Sequence, residues 1–294
     1  MLNGIIIIDK PAGWTSHDVV AKLRGTLKQK RIGHGGTLDP MATGVLPVFV
    51  GRATRAAEFC TNTEKEYIAG LRLGIVTDTQ DITGNVLGEN EVATTPEELE
   101  AILPRFMGMQ KQIPPMYSAI KKDGKKLYEL ARRNIDIPRE AREIHISTLE
   151  LSRQESQHEY TLRIVCSKGT YVRTLCHDIG AALGCGGTLS SLRRTRAGVF
   201  MIGESCSLDE VLSNVLTDSV SSCILPVDVI FSEYPSIIIS DSEVLKAKNG
   251  ANCGTRENIA NGIYRVYASD GEFLLLGEAE SNNIKTIKSF FEVD

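Results

Sequence analysis

Short apolar stretches bounded by turn-forming residues predict β-strands along the first two thirds of the chain. Two of these stretches are almost wholly apolar and indicate buried strands, Gly4–Asp9 and Val45–Val50. Three more strands are predicted at Tyr67–Gly74, Ile144–Leu151 and Tyr160–Ser167. The first and last of these three alternate between the two faces, which is typical of strands with one covered side.

Helices are predicted where a capping residue precedes apolar side chains at helical spacing. Thr15-Ser16 precedes one such stripe, and Thr95 precedes Pro96 and Glu98 in the order of a capping box. A third helix is predicted over Tyr171–Leu183. A short fourth helix is predicted within the basic segment 121–142. The side chains predicted to be buried on the four helices are, in the order in which the helices are named here, Val19, Val20, Leu23 and Leu27; Leu99, Ile102 and Phe106; Val172, Leu175, Cys176 and Ile179; and Leu127, Leu130 and Ala131.

The pattern changes after about Ser232 to short strands separated by glycine-containing turns. This change divides the 294 residues into a large domain at 1–229 and a small β-rich domain at 230–294.

Charge is distributed unevenly along the chain, and this matters more than the net value of −4. Residues 203–294 carry 15 acidic and 6 basic side chains, which leaves 22 acidic and 27 basic side chains in residues 1–202. The segment 105–142 alone has 10 basic and 4 acidic side chains, a balance of +6. Because local charge decides where a phosphate backbone can lie, the basic segment is a candidate surface for a polyanion.

The seven cysteines are odd in number and include no C-x-x-C pair, so we expect reduced thiols and no metal ion. Cys176-His177 near Cys185 is the one cluster that suggests a metal, but its spacing fits no common ligand pattern. No apolar run is long enough to span a bilayer, and the apolar run at Ile5 lacks the flanks of a secretion signal. These features predict a cytoplasmic protein that does not bind a membrane.

A glycine-rich stretch, GHGGTLDPMATGVLPV, begins at Gly33 and carries the most informative chemistry. Its glycines allow sharp turns and a close approach of the backbone to a ligand, and Pro40 favours an extended conformation at Asp39. The stretch is not a phosphate-binding Walker A loop, because the required lysine and hydroxyl are absent. From the residues alone, Asp39 and His34 could act on a substrate, or they could serve as a turn residue and a hydrogen-bonding loop residue.

The same stretch resembles the catalytic motif of the TruB family of tRNA pseudouridine synthases, and further blocks resemble that family in the same order. Together the matches cover roughly residues 4–200. The further blocks are Asp9-Lys10-Pro11-Ala12-Gly13-Trp14-Thr15-Ser16; Lys65-Glu66-Tyr67 with Leu73-Gly74; Thr77-Asp78-Thr79 with Asp81 and Gly84; Pro114-Pro115-Met116-Tyr117-Ser118-Ala119 with Lys122–Tyr128; Cys166-Ser167-Lys168-Gly169-Thr170-Tyr171-Val172-Arg173; and Leu192-Arg193-Arg194.

The resemblance implies an α+β fold with a mixed, largely antiparallel sheet, and an enzyme that isomerises uridine to pseudouridine in the T-loop of tRNA, at position 55. It implies that the reaction uses no metal ion or organic cofactor. Asp39 would be the catalytic carboxylate, and Arg173 would pair with it. His34 would help displace the target nucleotide, and Tyr67 would stack on its base.

The resemblance also assigns Leu192 to the wall of the pocket, although a plain core leucine is an alternative. Asp81 would hold the neighbouring loop, or would only form a turn. The basic part of the thumb-like segment, residues 120–143, would grip the RNA; as an alternative it is an idle solvated face. Its six candidate cations are Lys121, Lys122, Lys125, Lys126, Arg132 and Arg133.

The C-terminal domain resembles a PUA domain, a type that commonly supports RNA binding, by position, by size and by Gly250 with Gly262-Ile263-Tyr264-Arg265-Val266. The balance of −9 over residues 203–294, which include this domain, argues against a strong RNA contact and leaves only a small possible patch, formed by Lys246, Lys248, Arg256 and Arg265. The expected partner is the T-arm of tRNA, with no obligatory protein partner. Two alternatives stay open: a synthase that depends on a guide RNA, and a tRNA-binding folding factor with incidental catalysis.

Overall fold

The computed structural model describes residues 2–122, 124–133, 135–217, 219–255 and 258–291. Strands β1 to β19 are, in chain order, Gly4–Lys10, Ile32–His34, Thr43–Val50, Lys65–Leu73, Ile75–Thr77, Val86–Glu89, Gly108–Gln112, Lys121–Lys122, Lys125–Lys126, Arg142–Ser156, Glu159–Cys166, Gly187–Ala197, Phe200–Met201, Cys206–Ser207, Ser236–Ile238, Cys253–Gly254, Gly262–Tyr267, Phe273–Glu280 and Asn283–Ser289. Helices α1 to α7 are Ser16–Thr26, Ala57–Thr61, Pro96–Ile102, Leu127–Ala131, Val172–Ala182, Leu208–Leu216 and Asp241–Lys248. Short 3-10 helices occupy Gly51–Ala56, Leu103–Phe106, Ile202–Glu204, Val220–Cys223 and Val227–Phe231.

Both predicted capping boxes are present, and they explain where α1 and α3 begin. The side chain of Thr15 accepts from the backbone N–H of Asp18, whose carboxylate accepts from the backbone N–H of Thr15. Thr95 and Glu98 make the same reciprocal pair at the start of α3. The side chains predicted to be buried on α1 and α5 are buried, except that Leu27 is half-buried beyond the end of α1.

One large mixed sheet forms the centre of the molecule, with strand order β14-β1-β3-β12-β4-β11-β10-β7. The β1–β14 and β3–β12 pairs are parallel, while the other pairs along this order are antiparallel. The α+β prediction and the mixed, largely antiparallel sheet are therefore confirmed. β12 lies between β3 and β4, and so it brings the Leu192-Arg193-Arg194 block beside the strand that follows the Asp39 loop.

The second sheet, β15-β17-β18-β19-β16, is formed by the C-terminal part of the chain and fits the PUA-like prediction. It shares a core with the large sheet, because Phe231 packs edge-on against Phe59 at 5.0 Å and also contacts Phe273 and Phe290. An ion pair of 2.6 Å between Lys288 and Glu58 crosses the same junction. The division at residues 229 and 230 stays a prediction.

Three α-helices were not predicted from sequence, α2, α6 and α7. α6 follows the strand β14 that pairs with β1, and α7 lies within the segment for which only strands were expected. Across the described residues, no helix is both long enough and apolar enough to cross a membrane.

The packing of α5 against β12 leads to a matched pair of substitutions. A Cβ added at Gly180 of α5 would lie 2.2 Å from the backbone nitrogen of Gly187, whereas a Cβ at Gly25 of α1 would meet no atom within 4 Å. We expect Gly180→Ala to lower the free energy of unfolding by roughly 1–3 kcal/mol through overpacking. Gly25→Ala should raise it by up to about 1 kcal/mol, because alanine favours a helix over glycine. Urea denaturation measures both, and equal effects of the two substitutions would contradict the close packing.

Candidate active site

The loop that carries Asp39 is held on both sides by the elements around it. The Ser16 hydroxyl accepts from the backbone N–H of Leu38 at 2.8 Å and lies 3.2 Å from its carbonyl oxygen. The carbonyl of Pro40 accepts from the N–H of Gly13 at 2.8 Å. Because the residues on either side of Asp39 are fixed, its carboxylate projects from a rigid position.

Close packing behind the loop requires glycine at position 44. Gly44 has φ +102°, and a Cβ there would lie 2.2 Å from the carbonyl oxygen of Arg194 on β12. The glycine therefore allows the parallel pairing of β3 with β12 directly after the loop.

Asp39 is paired with Arg173, which lies in the first turn of α5. The distance from Nε of Arg173 to Oδ2 of Asp39 is 2.9 Å, and Nη2 lies 3.4 Å from Oδ1. The guanidinium also donates to the carbonyl oxygens of Thr79 at 3.1 Å and Tyr117 at 2.9 Å, and its Nη1 lies 3.6 Å from a carboxylate oxygen of Asp81. Arg173 is buried, whereas 36% of the Asp39 side chain is exposed, so the carboxylate is open to a ligand on one side.

The start of α5 is fixed by a side chain from the edge strand β7. The amide of Gln112 accepts from the backbone N–H of Tyr171 at 2.8 Å and donates to its carbonyl oxygen at 3.0 Å. This double hydrogen bond sets the residue just before the helix, and with it the direction in which Arg173 points.

Burial raises the pKa of Asp39 above its ordinary value, and the nearby guanidinium of Arg173 opposes part of that rise. The carboxylate of Asp81 acts in the same direction as burial, since like charges close together favour protonation. Burial therefore favours the protonated form of Asp39, and Arg173 favours its charged form.

Asp81 combines the two alternatives that the sequence left open. One of its carboxylate oxygens accepts from the hydroxyl of Thr79 at 2.9 Å and from the backbone N–H of Thr83 at 3.0 Å, which closes a turn. The other oxygen faces Arg173. A single buried side chain thus fixes the β5–β6 connection and contributes to the environment of the guanidinium.

Tyr67 and Leu192 lie side by side on adjacent strands of the large sheet. Ala69 of β4 pairs with Leu192 of β12, and Tyr67 pairs with Arg194. Leu192 belongs to a core cluster that also includes Leu38 of the Asp39 loop, and Tyr67 packs against this cluster. Burial raises the pKa of Tyr67, and Arg194 opposes this rise while Asp39 adds to it.

His34 lies on β2 opposite Val48, on the approach to the loop. Its pKa is lowered by burial and by the positive charge of Arg194, so the imidazole is favoured in its neutral form. Its Nδ1 atom is buried, without a hydrogen-bond partner among the described residues. Within those residues His34 makes no hydrogen bond to Asp39.

The thumb-like segment, residues 120–143, presents a basic hairpin. β8 and β9 pair with Lys121 opposite Lys126 and Lys122 opposite Lys125. The ring of Tyr128 lies 5.4 Å from the ammonium of Lys126 and 5.3 Å from the guanidinium of Arg132. Of the six predicted cations, Lys126 is half-buried and the others are exposed: Lys121, Lys122, Lys125, Arg132 and Arg133.

A short path connects this hairpin to the pair formed by Asp39 and Arg173. The carbonyl of Tyr117 accepts from Arg173, and the carbonyl of Ser118 accepts from the N–H of Tyr128 at 3.1 Å. The base of the thumb-like segment therefore contacts the residue that holds Asp39.

Two models of known protein families match this chain. Residues 24–172 match the model of the TruB family pseudouridylate synthase N-terminal domain. Residues 173–232 match the model of the tRNA pseudouridylate synthase B C-terminal domain. The chain belongs to the TruB family. The family that the sequence motifs indicated is thereby confirmed.

Relatives and solved structures agree with that membership. The chain is 43% identical over 290 residues to tRNA pseudouridine synthase B of Syntrophomonas wolfei, covering 97% of this chain and 96% of the relative. It is 40% identical to tRNA pseudouridine synthase B of Clostridium kluyveri, covering 98% of this chain and 100% of the relative. A solved Cbf5-Nop10-Gar1 complex contains a chain that is 27% identical with a TM-score of 0.75, covering 99% of this chain and 86% of that one. A solved structure of an H/ACA RNP bound to a substrate RNA containing 2'-deoxyuridine contains a chain that is 26% identical with a TM-score of 0.73. The match covers 99% of this chain and 86% of that one.

Two buried cations beside the loop were not assigned a role from sequence. Arg194 donates from Nε to the carbonyl of Val45 at 2.7 Å and from Nη2 to the carbonyl of Gly36 at 3.2 Å. Lys10 donates from Nζ to the carbonyls of Trp14 at 2.7 Å and Pro11 at 2.8 Å. Burial lowers the pKa of Lys10 to about 8, although Asp39 opposes that shift. Both residues stand inside TruB-like blocks, and that position is the signal that could have identified them.

The small basic patch suggested for the C-terminal domain is largely occupied by internal partners. Lys246 pairs with Glu243 at 2.7 Å, and Lys248 pairs with Glu272 at 3.0 Å. Arg265 donates to the carbonyl of Tyr234 at 2.9 Å. Arg256 lies outside the described residues. These partners leave less positive charge for RNA than the sequence suggested.

The pairing of Asp39 with Arg173 predicts how the carboxylate titrates. Arg173→Met should raise the pKa of Asp39 further, because burial is then opposed by less positive charge. Arg173→Lys keeps the charge and should produce a smaller rise. Titration of the side-chain carboxyl ¹³C resonance of Asp39 measures the pKa, with near-ultraviolet circular dichroism as the check of folding. A pKa that stays the same or falls in the methionine variant would show that the guanidinium does not control this group.

Proposed function

We propose that this chain isomerises uridine to pseudouridine at position 55 in the T-loop of tRNA, with Asp39 as the catalytic carboxylate. The observation that carries the proposal is the ion pair of 2.9 Å between a partly exposed Asp39 and a buried Arg173. Membership in the TruB family and relatives named tRNA pseudouridine synthase B support it.

The chemistry needs one carboxylate in a protected place. The N1–C1′ bond of the nucleotide breaks, the uracil turns, and a C5–C1′ bond forms, so the atoms balance without an oxidant or a group donor. Asp39 acts as nucleophile or as general base, and either role requires its ionised form. Arg173 favours that form, and the exposed side of Asp39 leaves room for the nucleotide.

The neighbouring residues have roles that follow from their positions. We assign Tyr67 to stacking on the target base and to the final proton removal, and Leu192 to the wall of the pocket. Asp81 positions Arg173 and the β5–β6 connection through its two carboxylate oxygens. Neutral His34 occupies space near the displaced nucleotide, which must leave the RNA stack at a cost of a few kcal/mol.

The thumb-like segment supplies the compensating contacts to phosphates. It presents exposed lysines and arginines on one hairpin and on the helix after it, and its base contacts Arg173. We propose that tRNA binds along this surface, that no further protein is needed, and that the reaction takes place in the cytoplasm.

Replacement of the carboxylate tests the mechanism. Asp39→Asn should abolish pseudouridine formation in unmodified tRNA transcripts, because an amide can neither attack nor accept the proton, while tRNA affinity should change less than about threefold. Pseudouridine mapping after incubation with the purified chain, in the presence of a chelator, measures product and its position. Asp270→Asn, which removes a carboxylate from a surface turn, is the matched control.

The outcomes of this experiment separate the alternatives. Product at the T-loop uridine from the unsubstituted chain alone supports the stand-alone enzyme. If folded protein binds tRNA and forms no product, the guide-dependent or folding-factor alternative takes its place. Unchanged turnover in Asp39→Asn would remove Asp39 from the mechanism.

Neutralising the hairpin tests the RNA surface. Replacing Lys121, Lys122 and Lys125 together by glutamine should weaken tRNA binding and reduce the slope of log affinity against log salt by roughly one for each phosphate that is no longer neutralised. Replacing the same three lysines by arginine keeps the charge and should preserve both affinity and slope. Filter binding over a range of salt concentrations gives the slopes, and an unaltered slope in the glutamine variant would mean that these lysines do not face phosphates.

A further inference from the structure

The thiols of Cys206 and Cys223 lie against each other, outside the candidate active site. Their sulfur atoms are 3.3 Å apart, with Cys206 donating to Cys223, and the side-chain amide of Asn214 donates to the Cys223 sulfur at 3.1 Å. A disulfide has a sulfur–sulfur distance of about 2.0 Å, so a short approach would allow the bond. In the part of the chain that is described, the other five thiols have no sulfur atom within hydrogen-bonding distance.

The segments that carry the two cysteines both form backbone hydrogen bonds with the same strand, β1. Cys206 lies in β14 opposite Ile8 in a parallel pair. Two residues beyond Cys223, Leu225 exchanges both backbone hydrogen bonds with Ile5, at 2.8 and 2.9 Å. Because β1 is a buried strand of the large sheet, these pairings hold Cys206 and the residue two positions after Cys223 in place.

The two thiols differ in access to a reagent. Cys206 is half-buried, whereas Cys223 is 8% exposed. A small molecule can therefore reach the Cys206 side chain more readily than that of Cys223, which packs in a core cluster with Ile6 and Ile8.

We propose that Cys206 and Cys223 form a reversible disulfide by exchange with a small-molecule disulfide, with Cys206 as the entry thiol and Cys223 as the resolving thiol. The Cys206 thiol loses its proton and attacks one sulfur of the reagent, whose S–S bond breaks and releases one thiolate. Cys223 then loses its proton and attacks the Cys206 sulfur of the mixed disulfide, which releases the second thiolate. Two protein thiols are oxidised, and one reagent disulfide is reduced to two thiols.

We expect this exchange to be slow at neutral pH in the folded chain. Burial, together with the neighbouring Cys223 thiol, raises the pKa of Cys206 to about 12, so little of the reactive thiolate is present. The pair therefore persists as thiols through brief contact with oxidant and closes during long exposure.

The disulfide would close a loop from Cys206 in β14 to Cys223 at the end of the 3-10 helix Val220–Cys223. This segment contains α6, whose Leu208 and Val211 share a core with Ile8 and which packs against α1. Closing a loop of this length removes conformational freedom mainly from the unfolded chain. The oxidised form should therefore unfold at a temperature higher by about 5 °C.

The test uses the full chain, first reduced and then incubated for a day with oxidised glutathione. After denaturation and alkylation, intact mass should show five labelled thiols, which is seven less two, against seven in the reduced protein. Peptide mapping should place the bridge at positions 206 and 223, and dithiothreitol should reverse both the bridge and the rise in Tm. Seven labels after oxidation, a different bridge, or a bridge without a rise in Tm would overturn the proposal.

Single serine variants separate the roles of the two thiols. Cys223→Ser should retain one glutathione on Cys206, whereas Cys206→Ser should retain none, because Cys223 is shielded. Cys185→Ser, at a buried thiol near Thr94, is the matched control and should still close the bridge. An adduct on Cys223 in the Cys206→Ser variant would reverse the assigned order and reject it.

Discussion

The buried guanidinium of Arg173 is the interaction on which the arrangement of the site depends. Removing a charge from water costs several kcal/mol, so such a group persists only where it is paired and hydrogen-bonded. Here its partners come from three separate segments: Asp39 in the glycine-rich loop, Thr79 and Asp81 in the β5–β6 connection, and Tyr117 just before the thumb-like segment. One side chain on α5 therefore fixes the positions of all three relative to one another.

Near Asp39, positively charged side chains are hydrogen-bonded to backbone carbonyl oxygens. Among the described residues, Lys10 and Arg194 are buried and donate to carbonyl oxygens within the loop or beside it. Because these two cations donate their hydrogen bonds to carbonyl oxygens, neither forms an ion pair with the carboxylate of Asp39. Asp39 keeps an exposed side for a nucleotide while lying in a positive environment, which is the condition for an enclosed carboxylate to act in its ionised form.

The C-terminal sheet is attached to the rest of the chain by a core and by charge. The aromatic cluster around Phe231 joins the two sheets, and Lys288 pairs with Glu58 across them. Its cations Lys246 and Lys248 are paired with glutamates of the same sheet region. Lys246 and Lys248 are thus paired within this part of the chain, whereas the thumb-like segment exposes Lys121, Lys122, Lys125, Arg132 and Arg133.

The sequence by itself determined much of the local structure and the family to which its motifs belong. The capping boxes at Thr15 and Thr95, the strand Tyr67–Gly74 and the helix Tyr171–Leu183 depend on hydrogen bonds and side-chain spacings within a few residues, which a sequence displays directly. Only the tertiary structure decided which distant groups meet. Insertion of β12 between β3 and β4 places Arg194 beneath the Asp39 loop, and the attachment of two segments to β1 brings Cys206 to Cys223. Such contacts follow from strand order and register, which are set by the packing of the whole core and leave no pattern in the residues near either partner.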